Sequence, residues 1–503
     1  MCFALFMMML DNTVVNVALP SIQRDLHASL SSLEWTVNAY TLTLAVMLIT
    51  GGRLGDIFGR RRMFLFGVIV FGLASLIIGF SPDDEVLVAF RAVQGIGAAC
   101  MMPASLAIIA QSFPPHERGT AIGTWAGVSA LALAIGPVVG GFLTQDVSWR
   151  AIFFINPPIA VVAVIVCLFA AHESRDETVE RTIDYQGIVL VTVGLTALVL
   201  ALIKSDSWGW GSTKTLGLLV LSVIALAGFV TTELRVRVPM LDFSFFRTRT
   251  SVGVNIVAFI VSFAMFAQFF FLTLYMQNVM HLSPLATGVR FLPSTLVLVV
   301  LGPLSGRLTD KVGPRPPMVV GLLLVAIAIY IDSHITIHSG YGLLLPGFFV
   351  MGCGMGLTMS PMSTAAMNAV DRSKAGAASG VLSMSRMVGS TFGVAVVGAL
   401  VTTIGHSKLN KSLPNVPAHV RSAIASALGS GAAPSGHPSP QILSAVREAF
   451  VSSLGTGLLV GAIATLIGAV VAWALIQNRP GHGQPASSPA GEEANEQVAL
   501  EVS

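Results

Sequence analysis

The sequence predicts an all-α membrane protein of fourteen transmembrane helices. They are arranged as two six-helix halves (helices 1–6 and 9–14) with two helices inserted between them. Three observations predict this. Apolar residues make up 54% of the chain and charged residues only 11%, whereas a soluble domain carries about 25% charged residues. The apolar residues also come in runs near the ~20 residues needed to cross a bilayer as a helix. Lys and Arg concentrate in alternate connections, and a loop motif occurs twice at a fixed offset.

The apolar runs fall at 2–20, 35–56, 63–80, 85–110, 118–143, 149–171, 185–203, 215–233, 251–277, 284–307, 317–335, 341–364, 375–404 and 449–476. Lipid offers the backbone no water, so each run must bond internally as a helix. None alternates as a barrel strand does. With Met1 placed inside, the inner connections hold 17 Lys and Arg residues and the outer ones 9, four of these in one long loop, 405–447. Long loops weigh little in this asymmetry, which leaves 17 against 5. Both termini of this multi-pass protein of the cell membrane are therefore expected in the cytoplasm. The chain begins almost inside its first helix, without the basic stretch and polar boundary of a removable leader. Either the N-terminal tail is very short or the start lies upstream.

The long outer loop is rich in Ser, Gly and Pro, with a short surface helix expected near 418–428, and the tail 481–503 reads as disordered. Cys2, Cys100, Cys167 and Cys353 each lie in an apolar run, as small packing residues do. The net charge of +3 forms no basic, aromatic-interleaved cluster, so no nucleic-acid partner is expected. GCGMG at 352–356 lies mid-span without a phosphate-binding lysine. HITIH at 334–338 lacks a third metal ligand. No Ser/His/Asp arrangement or ATP-binding module appears, so neither a cofactor, a metal site nor enzyme activity is expected.

The repeat sets the domain plan. GRLGDIFGRR begins at Gly52 and GRLTDKVGPR at Gly306; six of ten positions coincide at an offset of 254. Each copy follows the second helix of a six-helix set. The expected units are residues 1–180, a first half; 181–240, two inserted helices; 241–480, a second half; and 481–503, a cytoplasmic tail. Such a repeat marks secondary transporters, with substrate held near the midplane between the halves. Inside the first copy, Gly52, Gly55 and Gly59 permit close helix approach and a tight turn. Asp56 can pair with Arg60 and Arg61 or cap a helix, and Asp310 and Arg315 repeat the arrangement. The cluster reads as a latch on the cytoplasmic side, or more simply as a positive-inside anchor.

Few charges fall inside spans, and those that do are costly and default to a functional role. Asp11 lies at mid-depth in helix 1, as a proton carrier or as the partner of a structural arginine. Arg91 faces a cavity or a partner, or else snorkels to the outer headgroups. Arg386, in helix 13, lines a central cavity or anchors the inner end. Glu34, at the outer mouth of helix 2, attracts cationic substrates or is a solvated acid favoured by the helix dipole. Depth in the spans adds Asn16, Asn38, Tyr40, Gln94 and Gln268 as polar groups of an otherwise apolar, aromatic cavity.

Five stretches carry a resemblance: LDNTVVNVALPSIQRDL (10–26), GGRLGDIFGRRR (51–62), AFRAVQGIGAACMMP (89–103), GTWAGVSALALAIGPVVGGFL (123–143) and WRAIFFINPPI (149–159). The chain resembles the major facilitator superfamily, and more narrowly its fourteen-spanner drug:proton antiporters. IDYQG (183–187) and YMQNVMHLSPLATGVRFLP (275–293) favour that branch. The resemblance implies proton coupling through Asp11 and Arg91. It also implies an exporter motif in helix 5, formed by Gly136, Pro137, Gly140 and Gly141. The chain departs from the family pattern at Ile57, where a basic residue is usual, and at Ala132, where Gly is. The implied activity is proton-coupled efflux of hydrophobic or cationic drugs by a protein that works as a monomer, with protons, small molecules and the bilayer as partners. A dedicated exporter of one metabolite, such as an antibiotic, siderophore or lipid, would use the same motifs. The helix 5 motif counts against a proton-coupled importer, and the intact Asp11, Arg91 and double loop motif count against a non-transporting scaffold.

Overall fold

The computed structural model describes residues 1–112, 125, 128, 131–132, 135–173, 184–236, 239, 248–369, 375–412 and 440–478. Every regular element among them is helical. In chain order these are α1 (Cys2–Leu26), α2 (Leu30–Phe58), α3 (Arg60–Gly79), α4 (Asp84–Ser112), α5 (described over 135–142) and α6 (Ala151–Ala170). They continue with α7 (Tyr185–Trp208), α8 (Thr213–Glu233), α9 (Arg249–Leu274), α10 (Pro284–Val312), α11 (Arg315–Asp332), α12 (Tyr341–Asn368), α13 (Ala375–Ser412) and α14 (Pro440–Leu475). Both α5 and α9 widen into π turns, at Leu143–Val147 and Tyr275–Val279.

Among the described residues, twelve helices are long and apolar enough to cross a membrane. Of the fourteen expected spans, the second and fifth are not among the twelve. The second is nonetheless one continuous helix of 29 residues, and the fifth falls partly outside the described residues. The expected helix at 418–428 and the tail 481–503 lie outside them as well.

Side-chain oxygens start several helices by accepting from backbone N–H groups that have no partner within the helix. Ser29 caps α2, Asp184 caps α7, Ser212 caps α8, Thr248 caps α9 and Ser283 caps α10. The helices outrun the apolar runs. α1 continues through Pro20 to Leu26. A proline removes one backbone bond and disturbs that turn, and there Gln277 Nε2 of the second π turn donates to the Val17 carbonyl at 2.7 Å. The outer loop is also shorter than the expected 405–447, because α13 runs to Ser412 and α14 starts at Pro440. Leu409, Val446 and Ala449 bury one another there, and Lys408 Nζ donates to Ser452 Oγ at 2.8 Å. Apolar packing between two adjacent helices thus extends both past their hydrophobic runs.

The packing pattern occurs twice. α2 lies on α4, α3 on α4 and α6, and α1 on α6; likewise α10 lies on α12, α11 on α12 and α14, and α9 on α14. α7 and α8 pair with each other, and α7 leans on α2 and α13. Between the two sets, α2 lies along α13 and α1 touches α9 and α10. Thr41 and Thr391 join α2 and α13 by a buried hydroxyl pair at 2.9 Å. Large apolar side chains such as Phe66, Phe169, Ile224 and Val470 point outward. A bilayer accepts such a surface, whereas water would leave it a large exposed apolar patch.

Candidate functional site

Asp11 and Arg91 meet inside the first set of helices. Arg91 Nη1 donates to Asp11 Oδ2 at 2.5 Å. Asn156 Nδ2, at the start of α6's longer segment, donates to Asp11 Oδ1 at 2.9 Å, and Gln94 Nε2 donates to the same oxygen at 3.4 Å. Gln94 returns its carbonyl oxygen to Arg91 Nη1 at 2.8 Å. Arg91 Nε donates to the Thr36 carbonyl of α2 at 2.9 Å, and its guanidinium stands 4.4 Å from the centroid of the Tyr40 ring, as a cation–π pair does. Asn156 Nδ2 also reaches Ser75 Oγ of α3 at 2.9 Å, and that hydroxyl donates to the Phe153 carbonyl. Asp11, Arg91, Gln94, Asn156 and Ser75 are each at most 1% exposed.

The geometry follows from the helices. Arg91 and Gln94 lie one turn apart on α4, so both reach the same carboxylate. One carboxylate therefore ties together α1, α4 and α6, with α2 and α3 held through Arg91 and Ser75. A buried pair of this kind holds only when the remaining donors and acceptors are also satisfied, and here nearly all are. Arg91 points at a partner and does not snorkel.

The next faces of α1 line a cavity. Asn12, Thr13 and Asn16 form one wall, and Gln268, Ser294 and Thr295 supply polar atoms opposite. The rest is apolar, including Phe269, Phe291 and Phe348. Phe269 and Phe291 stack at 4.0 Å between centroids, and Phe348 lies 5.0 Å from Phe291. The cavity volume is about 70 Å³, below the range of small-molecule sites, so a drug-sized molecule requires it to widen.

The remaining predicted residues separate into groups. Asn16 and Gln268 line the cavity. Tyr40 and Gln94 belong to the charge network. Asn38 is fully buried, and neither of its amide atoms has a hydrogen-bond partner among the described residues. Glu34 is 2% exposed and lies against Gly398 of α13. It is therefore not a solvated acid, and it is not among the cavity-lining residues. Arg386 is half-buried on α13, with its Nε unpartnered, and it too lies off the cavity wall.

In the loop motif, Gly59 adopts φ 111° and starts α3, a conformation that favours glycine. Its acidic partner is one that sequence reasoning missed. Glu173, just after α6, accepts from Arg61 N at 3.0 Å and Arg62 N at 3.2 Å, while the Arg61 guanidinium donates to the Leu168 carbonyl. These bonds brace α3 to α6 and stay within one set of helices. Gly52 faces Pro103 of α4, and Arg60 is half-buried at the head of α3. The side chains of Asp56 and Asp310 lie outside the described residues. Arg315 stacks on Trp473 at 5.1 Å.

The helix 5 motif sits between α1 and α10. A Cβ on Gly136 would strike the Thr13 hydroxyl, and one on Gly140 would come 2.8 Å from Val14 Cα. On the other face, a Cβ on Gly141 would lie 2.6 Å from Leu285 Cα, and Gly288 of α10 abuts the Pro137 carbonyl. The motif thus joins the turn after Asp11 to a helix of the second set.

The model of the Major Facilitator Superfamily matches residues 1–394. The chain belongs to the major facilitator superfamily. This multi-pass transporter is 36% identical to the tetracenomycin C resistance and export protein of Streptomyces glaucescens, over 96% of this chain and 92% of that one. It is 37% identical to the multidrug resistance protein Stp of Mycobacterium tuberculosis, over 79% and 74%. It is also 38% identical to the puromycin resistance protein pur8 of Streptomyces alboniger, over 79% and 80%. Among solved structures, the fold resembles a bacterial homologue of the human lysosomal transporter Spinster, with TM-score 0.62 and 18% identity, covering 95% of this chain and 96% of that one. It also resembles the peptide transporter POT in complex with sulfate, with TM-score 0.63 and 14% identity, covering 95% of each chain. The transporter is thus related to efflux and resistance proteins of its superfamily, and it is not an enzyme.

Proposed function

We propose that this transporter is a proton-coupled antiporter that exports hydrophobic or cationic small molecules across the cell membrane. The observation that carries the reading is the juxtaposition on α1. Asp11 is locked in a buried charge network, and the neighbouring faces of the same helix, at Asn12, Thr13 and Asn16, line a largely apolar cavity. The proposed topology has fourteen crossings, two six-helix halves flanking α7 and α8, and both termini in the cytoplasm. The paired helix packing and the Lys/Arg asymmetry support it. The working unit is a monomer.

Protonation of Asp11 removes its charge and with it the ion pair to Arg91. Arg91 keeps the Thr36 carbonyl, Gln94 and the Tyr40 ring, so the guanidinium stays housed. α1 is then held less tightly to α4 and α6. Its next turn presses on Gly136 and Gly140, and α5 passes that movement to α10 through Gly141 and Pro137. One proton falling through 100 mV supplies about 2.3 kcal/mol. At about 1.4 kcal/mol per tenfold, this sustains a substrate gradient of a few tens-fold.

The test uses inverted membrane vesicles with wild type or Asp11→Asn. A pH gradient is imposed, and ethidium uptake is followed together with proton release from the lumen. Wild type is expected to couple the two and the variant to lose coupling. A variant that stays coupled would place the proton carrier elsewhere. A second reading, a dedicated exporter of one metabolite, is favoured by the near full-length match to a single-antibiotic export protein. It moves first if well-expressed wild type carries no ethidium.

A further inference from the structure

A second carboxylate is buried on the opposite side of the cavity. Asp332, the last residue of α11, is 0% exposed. Gln268 Nε2 donates to its Oδ2 at 2.5 Å, while its Oδ1 has no hydrogen-bond partner among the described residues. Tyr275 in the π turn after α9, Tyr341 on α12, Arg447 and Glu448 on α14 and His334 in its own loop stand on the surrounding elements, and none of them bonds to the carboxylate. Room for the carboxylate comes from α12, where a Cβ on Gly347 would run into it. Gln268 is also a wall of the cavity, and its own Oε1 is buried and unpartnered.

The placement echoes the first site. The offset of 254 between the two loop motifs carries Asp11 to Met265 and Ser75 to Ile329. Gln268 and Asp332 each lie three residues further on, which is about one helical turn. A carboxylate with one amide and no cation is a different device from an ion pair. When ionised it can only accept; when protonated it can also donate. An ionised Asp332 therefore holds Gln268 by its Nε2 and leaves Oε1 as the free atom, an acceptor. A protonated Asp332 donates its O–H to Oε1, the amide turns about its terminal torsion, and Nε2 becomes the free atom, a donor. The proton comes from water and returns to it. The path is short, because Ser333 is only half-buried and His334 is exposed.

We propose that Asp332 is a second proton-binding group and that Gln268 relays its state to the cavity wall, so that a proton and a cationic or hydrogen-bond-donating substrate exclude one another there. The substrate class rests on the exporter reading above; the proton site does not. The test is infrared difference spectroscopy of the full chain in lipid films, between acidic and alkaline buffer, with and without ethidium. Wild type is expected to gain a carboxylic-acid carbonyl band on acidification, and ethidium to suppress it. Asp332→Asn should lose that band, while Asp11→Asn keeps it. Gln268→Leu should keep the band but lose its response to ethidium, and it decides the relay if the Asn variant does not fold. The proposal is overturned if Asp332→Asn retains every band of wild type, or if ethidium binds and leaves the band unchanged. Should ethidium not bind wild type at all, the cationic substrate class fails, and loss of the band in Asp332→Asn still supports the proton site.

Discussion

Within α1–α6, Asp11 faces a guanidinium at 2.5 Å and two side-chain amides. Within α9–α14, Asp332 faces one amide, and one of its oxygens goes unpaired. The aromatic wall of the cavity, Phe269, Phe291 and Phe348, also belongs to the second set. Two sets with the same packing pattern have thus diverged. The first carries a locked charge network that fastens helices together and one polar wall of the cavity, and the second carries its aromatic wall. Divergence of this kind lets the binding surface vary while the helix-fastening network stays fixed.

The sharpest way to break the comparison is to unbalance the locked pair. Arg91→Leu leaves Asp11 buried without its cation, and losing one partner of a buried pair costs about 3–5 kcal/mol. Thermal unfolding in detergent should show that loss. The double variant Asp11→Leu with Arg91→Met should recover most of it, since an apolar replacement of both partners is often neutral or better. If the double variant is no more stable than the single one, the network does not act as a unit.

Next in size is the joint between the two sets. Gly141→Val forces a side chain into the Leu285 backbone of α10, an overpacking that costs about 1–3 kcal/mol. Ethidium binding should survive, because Gly141 lies off the cavity, while transport across vesicles should stop. Normal transport would remove α5 from the coupling path. A smaller effect is expected in the cavity. Phe269→Ala removes a ring stacked at 4.0 Å on Phe291, a pairing worth about 0.5–1.5 kcal/mol beyond its buried area. Ethidium affinity should fall by up to about tenfold, with thermal stability changed far less than in Arg91→Leu. An affinity equal to wild type would place the substrate elsewhere.

How legible these parts were in the sequence depended on whether their meaning was local. The spans were legible because hydrophobic length is a local property. The helix ends past Pro20 and into 405–412 were not, because they depend on partners such as Gln277 and Val446. Asp11 and Arg91 were legible because a charge in an apolar run stands out, whereas Gln94, expected in the cavity, bonds to both of them instead. Asn156 lay inside a quoted motif, but its role requires α6 to cross α1, which no spacing displays. Asp332 was passed over although it lies inside the expected run 317–335: three residues from the end of that run, next to SHITIHSG, an acid reads as a boundary residue. Glu34 was misplaced for the opposite reason, since a helix-terminal acid looks solvated until another helix covers it.

Glu173 was one acid among several in HESRDE, and it gives the smallest and most discriminating comparison. Its carboxylate accepts from two backbone N–H groups at the head of α3 and lies 3.7 Å from the exposed Arg62 guanidinium. An anion at a helix N-terminus is worth about 0.3–1 kcal/mol, and the exposed ion pair adds little. Glu173→Ala should therefore lower stability by about 0.3–1 kcal/mol at low salt, and less at about 1 M salt, where charges are screened within ~3 Å. Because its bonds to Arg61 and Arg62 stay within α1–α6 and the adjoining residues, ethidium transport should change little. That is the reverse of Asp11→Asn, which should abolish coupling. If Glu173→Ala instead impairs transport while leaving stability intact, the arginine turn is a latch between the two sets and not a brace within one of them.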